Sequence, residues 1–497
     1  MQQKQHWFQQ IRLEYLWGMI ILAGIFSFMN LRHIVPNDFW FHLAYGRSLV
    51  STGVIPLYDT FSFTQPGQPY ESIYTYWLGQ GFIYILYHVG GVEWAMLIFS
   101  LIVTTAYGIL FAVNLDGTKN WRAAALGLLF TVTLGITNWN IRPQLFAYLL
   151  AAISIWAIYQ YRLGHKPWLW GGVLALVMAG WVNTHGTFFI PFALAGILFL
   201  EDLVRGWQTR NWRLLVPVMR LLGLLALGSL CNPHGYKIVE YAYGMSKSNQ
   251  VQQYVVEWQP SSIYQPDGVI FFLVFGLFVL IWVLSRYRPS ISESISFIFF
   301  AFLAFRYERG VVWFGITQSL LFAAMVARLF LKVQSKAGQN EKNPENYHFN
   351  RLLFILILVM MGCSLPWLRT YFPIPADEKS AYMNTPITAV ETMQKSIPVG
   401  NVFSDMAFSG YVSWETNSEY KTFVDPRVEF FPFKIWTDYL DISTAKPGWN
   451  EKLLAYKVNI LLLSPETQQP LVLALLGSKT WHKVYEDKIA VLYVPDK

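Results

Sequence analysis

The chain has 497 residues, of which 54% are hydrophobic, 17% aromatic and only 13% charged, with a mean hydropathy of +0.34. Soluble domains carry about 25% charged residues, so a soluble globular protein is excluded and a multi-pass membrane protein is indicated. The net charge of +7 is scattered between apolar runs; it gives no nucleic-acid-binding patch, and the basic residues instead report membrane orientation.

Apolar runs lie near 16–34, 73–89, 92–114, 121–138, 143–161, 168–183, 187–204, 214–231, 268–285, 291–305, 311–331 and 352–370. A spanning helix needs about 20 residues. The first run lacks a small-x-small exit and reads as an anchor, not a cleaved signal. Lys4 and Arg12 precede it, which puts the N-terminus in the cytoplasm. The loops bearing Lys119 and Arg122, Arg162 and Lys166, Arg205, Arg210 and Arg213, Arg286 and Arg288, and Lys332 and Lys336 share one side. They match the N-terminus only if one early run does not span. The exception is 73–89, "IYTYWLGQGFIYILYHV", with its glycines, Gln80, four tyrosines and a tryptophan. Trp and Tyr favour the headgroup level, so an interfacial helix is expected there. That leaves eleven spanning helices and one long external loop, 34–91, whose only Lys or Arg is Arg47.

Within that loop, Asp38, His42 and Tyr45 recur at i, i+4 and i+7, one face of a helix over 38–51. The stretch that follows, "GVIPLYDTFSFTQPGQPYES", is expected to be extended and leads to the second interfacial helix. Residues 1–371 thus form the membrane domain and 372–497 a small external α/β domain. In the latter, "TAVETMQKSI" and "WNEKLLAYKV" read as helices. "GNVFSD", "KTFVDPRV", "VNILLLSP" and "HKVYEDKIAVLYV" read as strands, the last a hairpin turning at Glu486-Asp487-Lys488. Cys231 and Cys363 sit at or in apolar runs and read as small buried residues rather than a disulfide or a metal site.

With this topology the unusual polar residues gather on the external side: Arg142 in "NIRPQ", Asn183 and His185 in "WVNTHG", Asn232 and His234 in "CNPHG", and Arg306, Glu308 and Arg309 in "FRYERG". Ionisable groups near membrane depth usually face a cavity or pair with one another, so one polar external cavity is expected, roofed by the first loop and the tail. Each residue also has a purely structural reading. Asp38 is a good helix N-cap, Asp59 sits in a turn sequence, Glu71 can cap the second interfacial helix, Arg142 can snorkel from a helix end, and the Gly- and Pro-containing segments stop helices. In the tail, Asp425, Arg427 and Glu429 alternate in "FVDPRVEFF" and would share one strand face.

The order of these parts resembles the GT-C glycosyltransferases: one helix, a long external loop with two interfacial helices and an early acid, then a helical bundle and an external C-terminal domain. "NDFWFHLAYGRSLVSTGVIPLYDTFSF", "RPQLFAYLL", "WVNTHGTFF" and "CNPHGYKIVEY" look like a bacterial branch of that group. The resemblance implies a polyprenyl- or dolichyl-phosphate-linked sugar donor used at the outer membrane face. It implies transfer to a cell-envelope glycan, lipid or protein, with a divalent cation (Mg or Mn) as a candidate cofactor. The first-loop acid of the group maps to Asp38, here preceded by Asn37 instead of a second acid. Inverting transfer needs a base for the acceptor proton and cationic donors on the leaving phosphate. Asp38, His42 and Asp59 are the candidates for the first role. Glu71, Arg142, Asn183, His185, Asn232, His234, Arg306, Glu308, Arg309, Asp425 and Arg427 are candidates for binding substrate. Two other readings stand beside this one. A polysaccharide ligase or polymerase would place its large external loop inside the helical set, and a lipid-linked-sugar transporter would need polar residues at mid-membrane.

Overall fold

The computed structural model of the protein describes residues 11–247, 249–337, 346–372 and 381–496. Its helices in chain order are α1 Leu13–Leu31, α2 Pro36–Thr52, α3 Trp77–Thr118, α4 Trp121–Gly135, α5 Gln144–Arg162, α6 Pro167–Trp181 and α7 Phe189–Thr209. Then come α8 Leu215–Ser229, α9 Lys237–Lys247, α10 Asn249–Tyr254, α11 Pro266–Ser285, α12 Ile291–Arg306, α13 Gly310–Ala337 and α14 Tyr347–Cys363. Among the described residues, six helical segments are long and apolar enough to cross a bilayer, in α1, α3, α5, α8, α11 and α13. Shorter or less apolar helices occupy the other five expected positions. Their packing follows membrane rules, with small and polar residues at close contacts. Between α3, α4 and α13, Asn114 Nδ2 donates to Ser319 Oγ at 2.8 Å, and Thr131 Oγ1 donates to the Gly315 carbonyl at 3.1 Å.

The runs 73–89 and 92–114 form a single element, α3, broken once. Gly90 and Gly91 leave helical geometry, and Gly91 takes φ 72°, ψ −164°, a region essentially reserved for glycine. The break separates the first part, which follows a short 3-10 turn at Glu71–Thr75, from the second. α2 begins with Pro at its first turn and ends on Gly53 in the left-handed region, φ 68°. Its N-cap is Val35, so Asp38 is a first-turn residue and not a cap. α2 packs between the first part of α3 and the helix Met406–Glu415 of the tail. Gly46 makes this possible, since a Cβ there would lie 2.3 Å from the Gln80 carbonyl oxygen.

The tail builds a five-stranded mixed sheet from β1 Asn401–Ser404, β2 Lys421–Thr422, β3 Ile460–Leu463, β4 Trp481–Glu486 and β5 Val491–Pro495, in the order β2-β1-β3-β5-β4. β1 is parallel to β2 and β3, while β5 runs antiparallel to β3 and β4. Helices Ile387–Ser396 and Trp449–Ala455 appear where expected. Those at Met406–Glu415, Phe433–Ser443 and Gln469–Leu475 do not follow from the sequence reading. The expected strand "KTFVDPRV" is only two residues long and stops at Thr422. Asp425, Arg427 and Glu429 therefore share no strand face. Asp425 instead accepts from the Arg427 backbone N–H at 3.0 Å and turns the chain.

The tail is docked on the first loop. Phe61–Phe63 continues the sheet at β2: Thr422 N donates to the Phe61 carbonyl at 3.0 Å and Phe63 N to the Thr422 carbonyl at 3.1 Å. Ile34 exchanges backbone bonds with Ala381 and Met383. Trp40 of α2 is buried among Tyr87, Tyr382, Tyr411 and Trp414. Arg47 stacks 4.2 Å from the Trp414 ring and donates to its carbonyl at 2.6 Å.

Candidate functional site

Where α2, the start of α3, the loops at the ends of α4, α6 and α12, and the tail converge, they enclose a cavity of about 410 Å³. Its polar wall is a chain of ion pairs. Asp38, in the first turn of α2, accepts from Arg142 Nη1 at 3.2 Å. Arg142 Nη2 donates to Glu257, whose second oxygen accepts from Arg309 Nη2 at 3.0 Å. Backbone bonds brace the pair of segments: Arg309 N to the Glu257 carbonyl at 3.0 Å, and Glu308 N to the Gln259 carbonyl at 2.9 Å. Arg309 also lies 5.0 Å from the Trp258 ring centroid. Asp38, Arg142 and Glu257 line a second, smaller cavity of about 90 Å³ together with Arg32 and His33. The ion pairs thus form a partition with space on both sides.

Electrostatics keep these charges in place. Burial alone would raise the Glu257 carboxyl, but Arg142 and Arg309 outweigh it and hold it below the usual range. Burial works against the Arg142 charge, and Glu257 and Asp38 more than restore it. Both histidines of the cavity are neutral. Burial pushes His42 down to about 4, opposed by Asp38 and assisted by Arg142. Burial, then Arg309 and Arg142, push His185 well below its ordinary value. His185 Nδ1 accepts from the Thr187 backbone N–H at 3.3 Å, so its proton sits on Nε2. The Gln80 side-chain amide lies 3.0 Å from His42 Nδ1.

Of the residues expected at the site, Asp38, His42, Arg142, His185, Arg309 and Arg427 line the main cavity. The others are placed elsewhere. Asp59 is 3% exposed and accepts from Phe61 N, Ser62 N, Ser62 Oγ and the Arg427 guanidinium, which leaves it no open face toward the cavity. Asp425, 1% exposed, is likewise consumed by Arg427. Asn183 accepts from Trp77 Nε1 and donates to the Ala179 and Cys231 carbonyls, tying three helix ends together. Asn232 closes its own turn through the Ser229 and Gly235 carbonyls, and His234 stacks on Tyr74 at 4.4 Å. Arg306 is exposed over the Tyr307 ring at 4.8 Å. Glu308 shares a separate small recess with Asp267, and burial, then Asp267, raise its carboxyl. The Glu71 side chain lies outside the described residues. Cys231 and Cys363 are exposed free thiols, not buried ones.

One acidic cavity residue, Glu257, escaped the sequence reading, and Glu429, read there only as a member of a strand face with Asp425 and Arg427, also lines the cavity. Glu257 stands alone in "YVVEWQP", between α8 and α11, and only its isolation among apolar neighbours on the external side could have flagged it. Glu429 reaches the same cavity from the tail. Burial raises its carboxyl, opposed by its own backbone N–H and by a hydrogen bond from the Ser72 hydroxyl.

The fit for a divalent cation is poor. Asp38 and Glu257 are the acids that face each other across the partition, and the Arg142 guanidinium already spans them. No cluster of three or more His, Cys, Asp or Glu occurs among the described residues. A fixed arginine cation holds the place between these two acids.

No known family profile matches the chain, and no curated protein matches it by sequence. Solved structures do. The oligosaccharyltransferase of Archaeoglobus fulgidus, tethered to an acceptor peptide, superposes with TM-score 0.59 at 11% identity over 99% of this chain and 74% of that one. ArnT from Cupriavidus metallidurans, bound to undecaprenyl phosphate, gives 0.52 at 14% identity over 96% and 97% of the two chains. The arabinofuranosyltransferase AftD from Mycobacteria gives 0.55 at 13% identity, with 98% of this chain spanning 40% of that much longer one. All three are GT-C glycosyltransferases, and the chain has the GT-C fold.

Proposed function

We propose that the protein is an integral membrane glycosyltransferase, with eleven spanning helices, of the bacterial plasma membrane. It moves a sugar from an isoprenoid-phosphate donor to a cell-envelope acceptor on the extracytoplasmic face. The observation that carries this reading is the ion-pair chain Asp38–Arg142–Glu257–Arg309 along one wall of the cavity. It sets the Asp38 carboxylate beside the Arg142 guanidinium, with Arg309 joined to Arg142 through Glu257, which supplies the base and the cations that inverting transfer from a phosphate uses. Arg142 and Arg309 hold the donor phosphate through their planar forks. The acceptor hydroxyl gives its proton to Asp38 as its oxygen bonds to the anomeric carbon. The bond from that carbon to the phosphate oxygen breaks, and its electron pair leaves with the isoprenyl phosphate, stabilised by the two arginines. Neutral His185 and His42 border the same space, and the Nε2–H of His185 is a hydrogen-bond donor for the sugar or the phosphate. The likeness to ArnT, solved with undecaprenyl phosphate, supports an isoprenoid phosphate as the donor class.

Asp38→Asn tests the assignment. The shape is kept and no helix cap is lost, because Asp38 makes none. Transfer is expected to fall by roughly 10²–10⁴, with undecaprenyl phosphate still bound and the melting temperature retained. Near-normal turnover in Asp38→Asn would remove Asp38 from the chemistry.

A further inference from the structure

Arg427 is a fully buried cation at the interface between tail and first loop. It is 2% exposed and bonded to three elements at once. Nε donates to Asp425 at 2.8 Å, Nη2 to Asp59 and Asp425, and Nη1 to the Tyr45 hydroxyl at 2.7 Å. Six aromatic rings surround it, the nearest Phe430 at 4.3 Å and Tyr70 at 4.9 Å. A desolvated guanidinium needs this much compensation, and the planar fork allows three partners in fixed directions. Tyr45 lies on the face of α2 that carries His42 and Asp38, seven residues and about 10 Å along the axis from Asp38. The chain on either side of Arg427, Pro426 and Val428–Glu429, forms the cavity wall contributed by the tail.

Docking of the tail does not depend on the Tyr45 hydroxyl. The backbone pairing of Phe61–Phe63 with Thr422, the Trp40 cluster and Arg47 on Trp414 already hold the two parts together. What the Arg427–Tyr45 bond adds is a directional constraint on the rotation of α2, and the 3.2 Å contact between Asp38 and Arg142 depends on that rotation.

We infer that Arg427 is a positioning residue: through Tyr45 it fixes the rotation of α2 and so holds Asp38 in register with Arg142, making the tail a working part of the site. The functional half of this inference rests on the transfer reading above. A misplacement of about 1 Å is enough to cost roughly a hundredfold in rate, so a bond two helical turns away has leverage.

The test is Tyr45→Phe in the full-length protein, which removes one hydroxyl and keeps the ring stacked on Phe61 at 4.3 Å. Hydrogen–deuterium exchange is followed peptide by peptide, and turnover is measured as release of undecaprenyl phosphate from undecaprenyl-phosphate hexoses and pentoses. Exchange in α2 should quicken about tenfold, the loss expected for one charge-assisted bond, while the sheet of the tail exchanges as in wild type. Turnover should fall about tenfold with KM unchanged. Wild-type exchange in α2 of Tyr45→Phe, or equal acceleration across the tail, would overturn the clamp. Full turnover in Asp38→Asn would instead reject the transfer reading and leave the exchange measurement to judge the clamp by itself.

Discussion

Replacing Arg142 by Gln should separate binding from folding at this site. Among the described residues, Arg142 is the cation that touches both Asp38 and Glu257, and its side chain is 13% exposed against 28% and 26% for the two acids. Removing it breaks two charge-assisted bonds and leaves two carboxylates facing the same space. A fully buried pair broken from one side costs about 3–5 kcal/mol and a fully exposed one about 0–1 kcal/mol. With partners that are a quarter exposed, the loss should be intermediate, about 2 kcal/mol. The effect on an incoming phosphate is larger. One charged hydrogen bond is lost, worth about 1.5–3 kcal/mol or ten- to a hundredfold in affinity, and the unmasked acids repel the anion as well. Arg142→Lys keeps the charge but reaches only one acid, so it should fall between the two. Undecaprenyl phosphate can be titrated by tryptophan fluorescence, since Trp258 and Trp139 sit beside the cavities. A folded Gln variant that binds the lipid phosphate within twofold of wild type would show that the cavity does not use Arg142 to hold an anion.

Two further outcomes follow from the same geometry. His42 is held at about 4, mainly by burial, so the unfolded chain takes up its proton near 6.5 and the folded chain does not. Its contribution to stability is present above pH 6.5 and lost as the pH falls toward 4; the melting temperature of His42→Gln should decline less over that window than wild type, and an identical decline would place the acid sensitivity in other groups. Orientation can be read by cysteine labelling after Cys231 and Cys363 are changed to Ser. Cysteines at exposed Gln68 and Glu419 should react from outside and one at exposed His165 should not, whereas labelling of all three from one side would refute the assigned topology.

How far the sequence could be read is decided by the range of each interaction. Apolar runs and glycine breaks act within a few residues, so the helices appear in order, as does the hairpin turning at Asp487, whose side chain accepts from Ile489 N and Ala490 N. The first loop is the intermediate case. The face shared by Asp38, His42 and Tyr45 is a property of one helix and was visible, but the partners that give each residue its role lie 104, 38 and 382 positions away. Arg427 illustrates the error this produces. Alternation in "FVDPRVEFF" suggests an exposed strand edge, and nothing local shows that Asp59, on another segment, will neutralise a buried cation there. Glu257 illustrates the converse: a lone acid in an apolar stretch has no pattern, yet it is the residue that joins Arg142 to Arg309. Polar residues near membrane depth must find partners, because an unpaired charge there is costly. An ionisable residue without a local partner on the external side is therefore a marker of a distant one, and three arginines here, Arg142, Arg309 and Arg427, each resolve to an acid contributed by another element. The site is built from these long-range pairings, and its charges can be placed only once the first loop and the tail have closed over the bundle.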